Sequence, residues 1–359
     1  MRLLKMDKLL DNINKEDLGD VYKSIETFPK QIEQVWDEFK NTNKPKECSL
    51  AKNVVIAGMG GSALGGRVVD SLIQDRSRVP IEVFTEYHLP NYVNKDTLVI
   101  LSSYSGNTEE TLSDANEAIK RGAKIFAITT GGKLEKLVLK EKLDSYVFNP
   151  INNPSKQPRM ALGYSIASIL SVLSQCDFIH LHNDEIRDVI KNFKEYEVDF
   201  GNKREGKNNI SKSLAKKIKG KIPILVASEH LVGSAHTFKN QLNETSKNFS
   251  VLFDIPELNH HLMEGLGHPA LVKKDLYFIF FESNKYTKRV SKRYPITQEV
   301  VEKNGVSYGK YVLKQETKLD QIFELISLGL YTSFYLSRIN SVDPTKIPWV
   351  DYFKDKLSS

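Results

Sequence analysis

The chain has 359 residues, of which 27% are charged and 40% are hydrophobic, and its formal net charge is +6. This composition is typical of a globular protein in water, and the length favours two domains. It argues against a membrane-spanning protein, because no apolar run approaches the roughly 20 residues that a transmembrane helix needs. Residues 1–20 contain no apolar signal-peptide core, so we expect a cytoplasmic protein without a membrane partner.

Two features of the composition limit the partners further. Cys48 and Cys176 are the only cysteines, and because their spacing matches neither a metal site nor a disulfide framework, we expect two free thiols. The basic charge is spread among mixed Lys–Glu stretches, and even the lysine-rich residues 215–221 are typical of a solvated face. We therefore expect no nucleic-acid partner, whereas an anionic small-molecule substrate suits the basic balance.

In the first part of the chain, an amphipathic helical segment is followed by alternating strands and helices. Residues 1–50 have the helical pattern. The predicted strands that follow are residues 53–58, 81–87, 97–103, 124–130 and 145–150, and the predicted helices are 62–74, 108–122, 131–138 and 165–176. Such alternation is typical of a parallel sheet with helices on both faces.

The alternation restarts in the second part of the chain. Residues 177–208 are polar, and residues 202–208 give the best boundary signal. The predicted strands after them are residues 222–228, 249–255, 276–283 and 307–313, and the predicted helices are 234–247, 294–305, 319–340 and 347–357. We therefore predict a helical segment at 1–50, a first α/β domain at 51–200, and a second α/β domain at 205–359 that ends in helices.

The first predicted strand ends in a glycine-rich turn, GMGGSALGG at residues 58–66. Glycine lets the backbone approach a ligand closely, and the N-terminus of the following helix attracts anions. The spacing Gly58-x-Gly60-x-x-Ala63 also fits a dinucleotide fingerprint. That alternative is weak, because the acidic residue expected about 20 residues later is missing and Glu86 comes too late.

The third predicted strand ends in SSYSGNTEET at residues 102–111, a turn that is rich in hydroxyl groups. The hydroxyls can donate to phosphate oxygens, and the next helix points its N–H groups at the same place. Because ligands bind at the carboxyl ends of parallel strands, both turns can share one phosphate group. The plain alternative is an ordinary N-cap with Glu109 and Glu110 in the first helical turn.

These two turns resemble those of the sugar-phosphate isomerase (SIS) fold. Further segments narrow the resemblance to the bifunctional phosphoglucose/phosphomannose isomerases, which contain two SIS domains. Those segments are QPRMALGYS (157–165), KNQLNETSK (239–247), PELNHHLMEG (256–265) and DPTKIPWVDYFKDKL (343–357). The resemblance implies two αβα sandwich domains with mainly parallel sheets, together with N-terminal and C-terminal helical segments.

The resemblance also implies a reaction. Fructose 6-phosphate would be interconverted with glucose 6-phosphate or mannose 6-phosphate through ring opening and a cis-enediol, without a cofactor and without a metal ion. A carboxylate suits the proton transfer between carbons, a histidine suits ring opening, and a cation suits the developing enediolate charge. The residues that would bind the substrate phosphate are Gly61, Ser62, Ser103, Ser105 and Thr108.

Four more residues receive roles through the resemblance. Glu244 would move the proton between C1 and C2, although by itself it is typical of a surface helix glutamate paired with Lys247. His260 would act in ring opening, and its plain alternative is a capping or core histidine. Arg159 would lie beside the enediolate or the sugar oxygens, and Lys354 would be a further ring-opening or hydroxyl contact.

The sequence departs from the family after the letters ELN. Members usually read HNE there, whereas this chain reads His260–His261–Leu262. The change removes a carboxylate, for which Glu264 could substitute only by a shift of register, so we expect an altered substrate range with phosphomannose activity the first to be lost. The adjacent histidines form no recognisable metal motif, since side chains of neighbouring residues point apart.

The family places its active site between two subunits, and its histidine reaches the phosphate site from the partner chain, which implies a homodimer. The apolar helical residues 318–338 and the N-terminal segment suit an interface, but intramolecular packing explains them equally well. Rival interpretations are an SIS isomerase of another sugar phosphate, a sensor that binds a sugar phosphate without turning it over, and an NAD-dependent enzyme.

Overall fold

The computed structural model describes residues 10–11, 17–40, 42, 45, 47–203 and 208–358. Its strands are β1 (Asn53–Gly58), β2 (Ile81–Phe84), β3 (Thr97–Ser103), β4 (Lys124–Thr129), β5 (Asp144–Val147), β6 (Ile222–Ala227), β7 (Val251–Asp254), β8 (Leu276–Glu282) and β9 (Ser307–Val312). They form one sheet of order β2-β1-β3-β4-β5 and a second of order β7-β6-β8-β9. All neighbouring strands are parallel, which confirms the α/β prediction.

Helices connect the strands and cover the sheets. They are α1 (Val21–Glu26), α2 (Phe28–Phe39), α3 (Gly60–Ile73), α4 (Glu109–Lys120), α5 (Gly132–Glu141), α6 (Leu162–Gln175), α7 (Asn183–Phe200), α8 (Ile210–Ile218), α9 (Val232–Glu244), α10 (Leu271–Asp275), α11 (Lys288–Lys303), α12 (Lys318–Ile339) and α13 (Pro348–Ser358). Among these described helices, none is long and apolar enough to cross a membrane.

Three of these helices are absent from the sequence prediction. The polar residues 177–208 contain α7, whose buried residues recur at helical spacing from Ile186 to Phe200. A capping box starts this helix, because the side chains of His182 and Glu185 bond reciprocally to the backbone. The other omissions are α8 and the five-residue helix α10. The high polarity of α7 hid its narrow apolar stripe, which periodicity alone could have shown.

Parts of two predictions lie outside the described residues. Residues 1–9, 12–16, 41, 43–44 and 46 belong to the predicted N-terminal helical segment, and residues 204–207 belong to the predicted domain boundary. Within the described part of the N-terminal segment, α1 and α2 are helical as expected. The domain limits at 51–200 and 205–359 stay predictions.

The first sheet separates two apolar cores. Val55 and Ala57 of β1 point to one face and pack in the core that lies under α4 and α5. Val54 and Ile56 point to the other face, because successive side chains of a strand alternate. The core on that second face continues as far as Leu225 of β6. The two halves of the chain therefore share one large core, with helices between the two sheets.

The long apolar helix α12 is packed inside the chain. Every residue from Leu319 to Ser337 is buried. The helix contacts α7, α8 and α9. Intramolecular packing therefore accounts for its apolar sequence, and α12 offers no apolar face to a second subunit.

A close contact between α3 and α9 joins the two halves. The backbone N–H of Gly233 donates to the Ser71 hydroxyl at 3.1 Å, and that hydroxyl lies 3.3 Å from the His230 carbonyl to which it donates. A Cβ at Gly233 would lie 2.2 Å from the backbone oxygen of Arg67. The start of α9 thus lies against the later turns of α3, which directs the end of α9 toward the start of α3.

Substitution of Gly233 by alanine should therefore destabilise the fold. The added methyl group meets backbone of α3, which cannot rotate away, so we expect a loss of about 3 kcal/mol in the free energy of unfolding, as for overpacked cores. Gly265→Ala is the matched control, since a Cβ at Gly265 would meet nothing within 4 Å. Urea denaturation of both variants measures the difference. Equal midpoints for the two would contradict the close contact.

The expectation of two free thiols is wrong. Cys48 and Cys176 form a disulfide with their Cα atoms 5.3 Å apart, and both residues are fully buried. Cys48 lies in the turn before β1, and Cys176 directly follows α6. The separation of 128 residues carries no hint of this contact, because only the folded chain brings the two segments together.

Candidate functional site

Two polar turns lie side by side at the carboxyl edge of the first sheet. β1 and β3 are neighbours, and Gly58 at the end of β1 pairs with Ser102 near the end of β3. The turn after β1 opens α3, and the turn after β3 opens α4. Neighbouring parallel strands place their following turns at the same edge, which is where ligands bind in open α/β sheets.

Hydroxyl groups connect the two turns. The Ser62 hydroxyl accepts a hydrogen bond from the backbone N–H of Tyr104 at 3.1 Å, so the α3 turn contacts the β3 turn directly. The hydroxyls of Ser103 and Thr108 lie 2.9 Å apart. The Ser105 hydroxyl accepts from a backbone N–H two residues later, and Ser105 is exposed. The structure therefore brings four of the predicted phosphate-binding side chains to one place.

The start of α4 leaves its first N–H groups without a side-chain cap. Thr108 is the N-cap residue, yet its hydroxyl makes no capping hydrogen bond and pairs with Ser103 instead. The plain alternative of an ordinary Ser or Thr cap is therefore not what the structure contains. Uncapped N–H groups at a helix N-terminus can bind an anion together with the helix dipole.

Gly106 fixes the shape of the turn after β3. Its φ is +65°, in the left-handed region that favours glycine, and a Cβ there would lie 1.8 Å from the backbone oxygen of Gly131. The β3 turn and the turn after β4 are thus in backbone contact. This contact holds the exposed Ser105 at the rim of the site.

Arg159 lies directly beside the glycine-rich turn. It belongs to the short 3-10 turn Pro158–Met160, and a Cβ on Gly61 would lie 3.0 Å from the Pro158 oxygen. The guanidinium is buried and donates to the backbone oxygens of Pro344 at 2.6 Å and Thr345 at 2.9 Å. Its Nε is buried and has no hydrogen-bond partner within the described chain. Arg159 therefore joins the glycine-rich turn after β1 to the C-terminal segment.

Glu244 reaches the same place from the second half of the chain. It is the last residue of α9, and its Oε2 lies 3.9 Å from a terminal nitrogen of Arg159. The contact joins residues 85 positions apart in the sequence, and it forms because α9 and the Pro158–Met160 turn both pack against α3. A carboxylate, a guanidinium and a hydroxyl-lined turn are thus gathered at one site.

Burial and three cations set the charge of Glu244. Burial raises the pKa of the Glu244 carboxyl, while Arg159, Lys247 and Lys354 lower it. Burial disfavours the ionised form and the cations favour it. A partly desolvated carboxylate with nearby cations is the arrangement expected of a base for a carbon acid, because its raised pKa makes it more basic than a free glutamate.

Lys354 belongs to this environment through α13. That helix begins after the segment fixed by Arg159, and the positive charge of Lys354 lowers the pKa of Glu244. The helix is otherwise exposed, including the large side chains of Trp349, Tyr352 and Phe353. The structure thus brings Lys354 to the site as a nearby charge.

His260 and Glu244 lie at opposite ends of the strands of the second sheet: His260 near their carboxyl ends and Glu244 near their amino ends. Ile255, just after β7, donates to Ala227 at the carboxyl end of β6, and His260 is an exposed residue of the turn that follows. Asn248, just after Glu244, bonds to Lys221 at the amino end of β6. The length of β6, about 20 Å at the usual rise per residue, separates the two edges. Within one chain, His260 therefore does not join the Glu244 site.

Two residues of the site were not predicted as functional. Lys247 donates to the backbone oxygen of Glu244 at 2.6 Å, and Asp343 acts electrostatically on Arg159 and Lys247. The lysine was noted only as an ion-pair partner of the Glu244 side chain. Asp343 appears in the sequence analysis only as the first residue of the segment 343–357, without a role of its own. Among the described residues, no group of three or more His, Cys, Asp or Glu side chains is arranged to hold a metal ion.

This geometry, with phosphate-type turns on one parallel sheet and an acid on a second α/β half, defines a two-domain SIS protein of the sugar-phosphate isomerase class. The SIS domain model matches residues 49–153, and the model of the bacterial phospho-glucose isomerase C-terminal SIS domain matches residues 207–357. The chain belongs to the bifunctional phosphoglucose/phosphomannose isomerase family, and it is an enzyme.

The similarity to individual proteins runs the length of the chain. A bifunctional phosphoglucose/phosphomannose isomerase of Caldicellulosiruptor bescii is 34% identical and is aligned over 94% of this chain and 99% of its own. The protein of the same name in Aquifex aeolicus is 32% identical over 95% and 99%. The crystal structure of a hypothetical protein from Thermus thermophilus matches with a TM-score of 0.77, covering 99% of this chain and 94% of that chain at 14% identity, which supports the fold alone.

Proposed function

We propose that the protein interconverts fructose 6-phosphate with glucose 6-phosphate, mannose 6-phosphate, or both, through a cis-enediol. The observation that carries the proposal is the approach of Glu244 and Arg159 to the phosphate turn. A hexose 6-phosphate held by its phosphate presents carbons 1 and 2 at the far end of the molecule, several bonds away. The Glu244 carboxylate and the Arg159 guanidinium, which lie beside the turn, are suited to act on carbons 1 and 2.

In the proposed mechanism each group has one task. The hydroxyls of Ser62, Ser103, Ser105 and Thr108, with the backbone at Gly61, bind the phosphate. The tasks at the reacting end are divided among four side chains: Glu244 moves a proton between C1 and C2, Arg159 stabilises the enediolate oxygen, Lys354 contacts a hydroxyl or the ring oxygen, and His260 opens the ring. Charge that develops on the enediolate is met by preorganised cations in a partly buried site.

His260 would come from a second subunit. Glu244 lies at the amino edge of the second sheet and His260 at the carboxyl edge, so one chain supplies only one of them to a given site. A symmetric homodimer solves this, because a twofold axis gives each site the same pair from opposite chains. We propose such a dimer with shared sites, and we place it in the cytoplasm. The location stays a prediction, and the buried Cys48–Cys176 disulfide is uncommon for a cytosolic protein.

Turnover of purified protein with fructose 6-phosphate tests the proposal. Glucose 6-phosphate and mannose 6-phosphate are detected by separate coupled assays, and we expect at least the first product. Glucose 6-phosphate alone would mean that the His260–His261–Leu262 segment has narrowed the substrate range. Binding of fructose 6-phosphate without either product would overturn the isomerase proposal in favour of a sensor or a different substrate.

A further inference from the structure

We propose that Lys247 is a positioning residue of the site, which holds the end of the helix that carries Glu244 and supplies a positive charge beside that carboxylate. The proposal rests on the proposed function, since it assigns Lys247 a task toward the base of that reaction. It starts from a conflict between the residue type and its backbone conformation.

Lys247 has a left-handed backbone where glycine would be comfortable. Its φ is +54°, just past the end of α9. Helices commonly end with a glycine or an asparagine in this conformation, because other residues are strained there by contacts of Cβ with the backbone. Lys142, just after α5, has the same conformation, so the feature that distinguishes Lys247 is the place to which its side chain turns.

The side chain turns back to the helix end. Its Nζ donates to the backbone oxygen of Glu244 at 2.6 Å, which satisfies one of the carbonyls that a helix leaves open at its C-terminus. The next residue closes the turn, because the N–H of Asn248 donates to the Leu242 oxygen at 3.0 Å. Lys247 thus fixes the residue whose carboxylate must be placed beside the substrate, and the strain stays local to the turn.

The charges around Glu244 give Lys247 its second effect. The groups that act on this carboxylate are Arg159 from the 3-10 turn, Lys247 itself, and Lys354 from α13. Asp343 lies beyond them and acts on Arg159 and Lys247. Lys247 is exposed as a whole residue, yet partial burial of its ammonium and the charge of Arg159 lower its pKa to about 8. Loss of the Lys247 charge would raise the pKa of Glu244 further, because one of the cations that favour the ionised carboxylate would be gone.

Three variants separate this role from an ordinary helix cap. Lys247→Gly relieves the backbone strain, Lys247→Met removes the charge and keeps the strain, and Lys247→Arg keeps both the charge and a donor. For Lys247→Gly and Lys247→Met we expect kcat/KM to fall by about tenfold. We also expect the acid limb of the pH profile of kcat/KM to move to a pH about half a unit higher. For Arg we expect a wild-type profile. The urea midpoint of the Gly variant should equal or exceed that of the wild type, because the strain is gone.

A measurement that needs no turnover keeps the inference separate from the proposed reaction. Protein labelled with ¹³C at the glutamate carboxyl is titrated by NMR, and the Glu244 signal is assigned from its disappearance in Glu244→Gln. Lys247→Met should raise the midpoint of that signal, and Lys247→Arg should leave it in place. An unchanged midpoint and unchanged kcat/KM in the Gly and Met variants would overturn the inference. A Gly variant that loses stability and activity together would also overturn it, since the lysine would then be a structural cap only.

Discussion

Glu244→Gln is expected to reduce kcat for the isomerisation by at least about 100-fold, which is the lower range for the loss of a general base. The amide has nearly the same shape as the carboxylate but cannot accept the proton from carbon. Binding of the sugar phosphate should persist, because the hydroxyls and helix N-termini at the carboxyl edge of the first sheet do not involve Glu244. Stopped assays of product formation and calorimetric titration with fructose 6-phosphate measure the two quantities separately.

The chain offers a closely matched control for this variant. Glu141 is also the last residue of a helix, α5, and its side chain is 32% exposed against 33% for Glu244. Glu141→Gln should leave both kcat and binding unchanged. Glu244→Asp should fall between the wild type and the Gln variant, because it keeps the carboxylate but withdraws it by about one bond, and displacements of about 1 Å cost up to about 100-fold. Equal activity of Glu244→Gln and Glu141→Gln would remove Glu244 from the role of base.

The framework of the fold follows from the sequence because the signals are local. Each of the nine strands is an apolar run that ends in a turn, and the structure has a strand at each of them. The main differences are the predicted ends of two strands, since β2 ends at Phe84 and not at residue 87, and β5 ends at Val147 and not at residue 150. The omitted helix α7 shows the limit of composition as a guide. Its surface is polar over most of the circumference, and only the spacing of its apolar residues reveals it.

The two polar turns were accessible to sequence reasoning, whereas the rest of the site was not. Ser62 follows β1 and Ser105 follows the neighbouring β3, so their proximity can be argued from the topology of a parallel sheet. The contact of Arg159 with Glu244 depends on how α9 packs against α3, which no local pattern encodes. Only the resemblance to a family predicted those two residues. The backbone conformation of Lys247 had no signal in the sequence at all.

The departure from the family after ELN has a partial structural explanation. Leu262 is half-buried and packs against the main core, so an apolar residue at this position contributes to folding. The ring of His261 lies 6.3 Å from that of Phe253, measured between centroids. Glu264 begins a separate 3-10 turn and is exposed. His260 and His261 are both exposed beside the half-buried Leu262, and the exposure of His260 is compatible with its proposed role at a partner's site.

Mixing two inactive variants should restore activity if the sites are shared between subunits. Glu244→Gln and His260→Ala each disable every site of their own homodimer. In a mixed dimer, one site combines the native Glu244 of one chain with the native His260 of the other, and the second site carries both changes. With random association, about a quarter of the wild-type activity should return, because half of the dimers are mixed and each has one intact site. Co-refolding of equal amounts, followed by the coupled assay, measures the recovery.

A second pair of variants supplies the control. Arg159 and Glu244 contact each other within one chain, so mixing Arg159→Met with Glu244→Gln leaves each site of a mixed dimer with one defect. No activity should return from that mixture. Recovery with His260→Ala but not with Arg159→Met requires that the histidine cross the subunit boundary, which follows from its position at the far edge of the second sheet. Recovery in neither mixture, with mixed dimers demonstrated by mass spectrometry, would contradict shared sites and would leave ring opening to groups of the same chain, of which Lys354 is the one already beside Glu244.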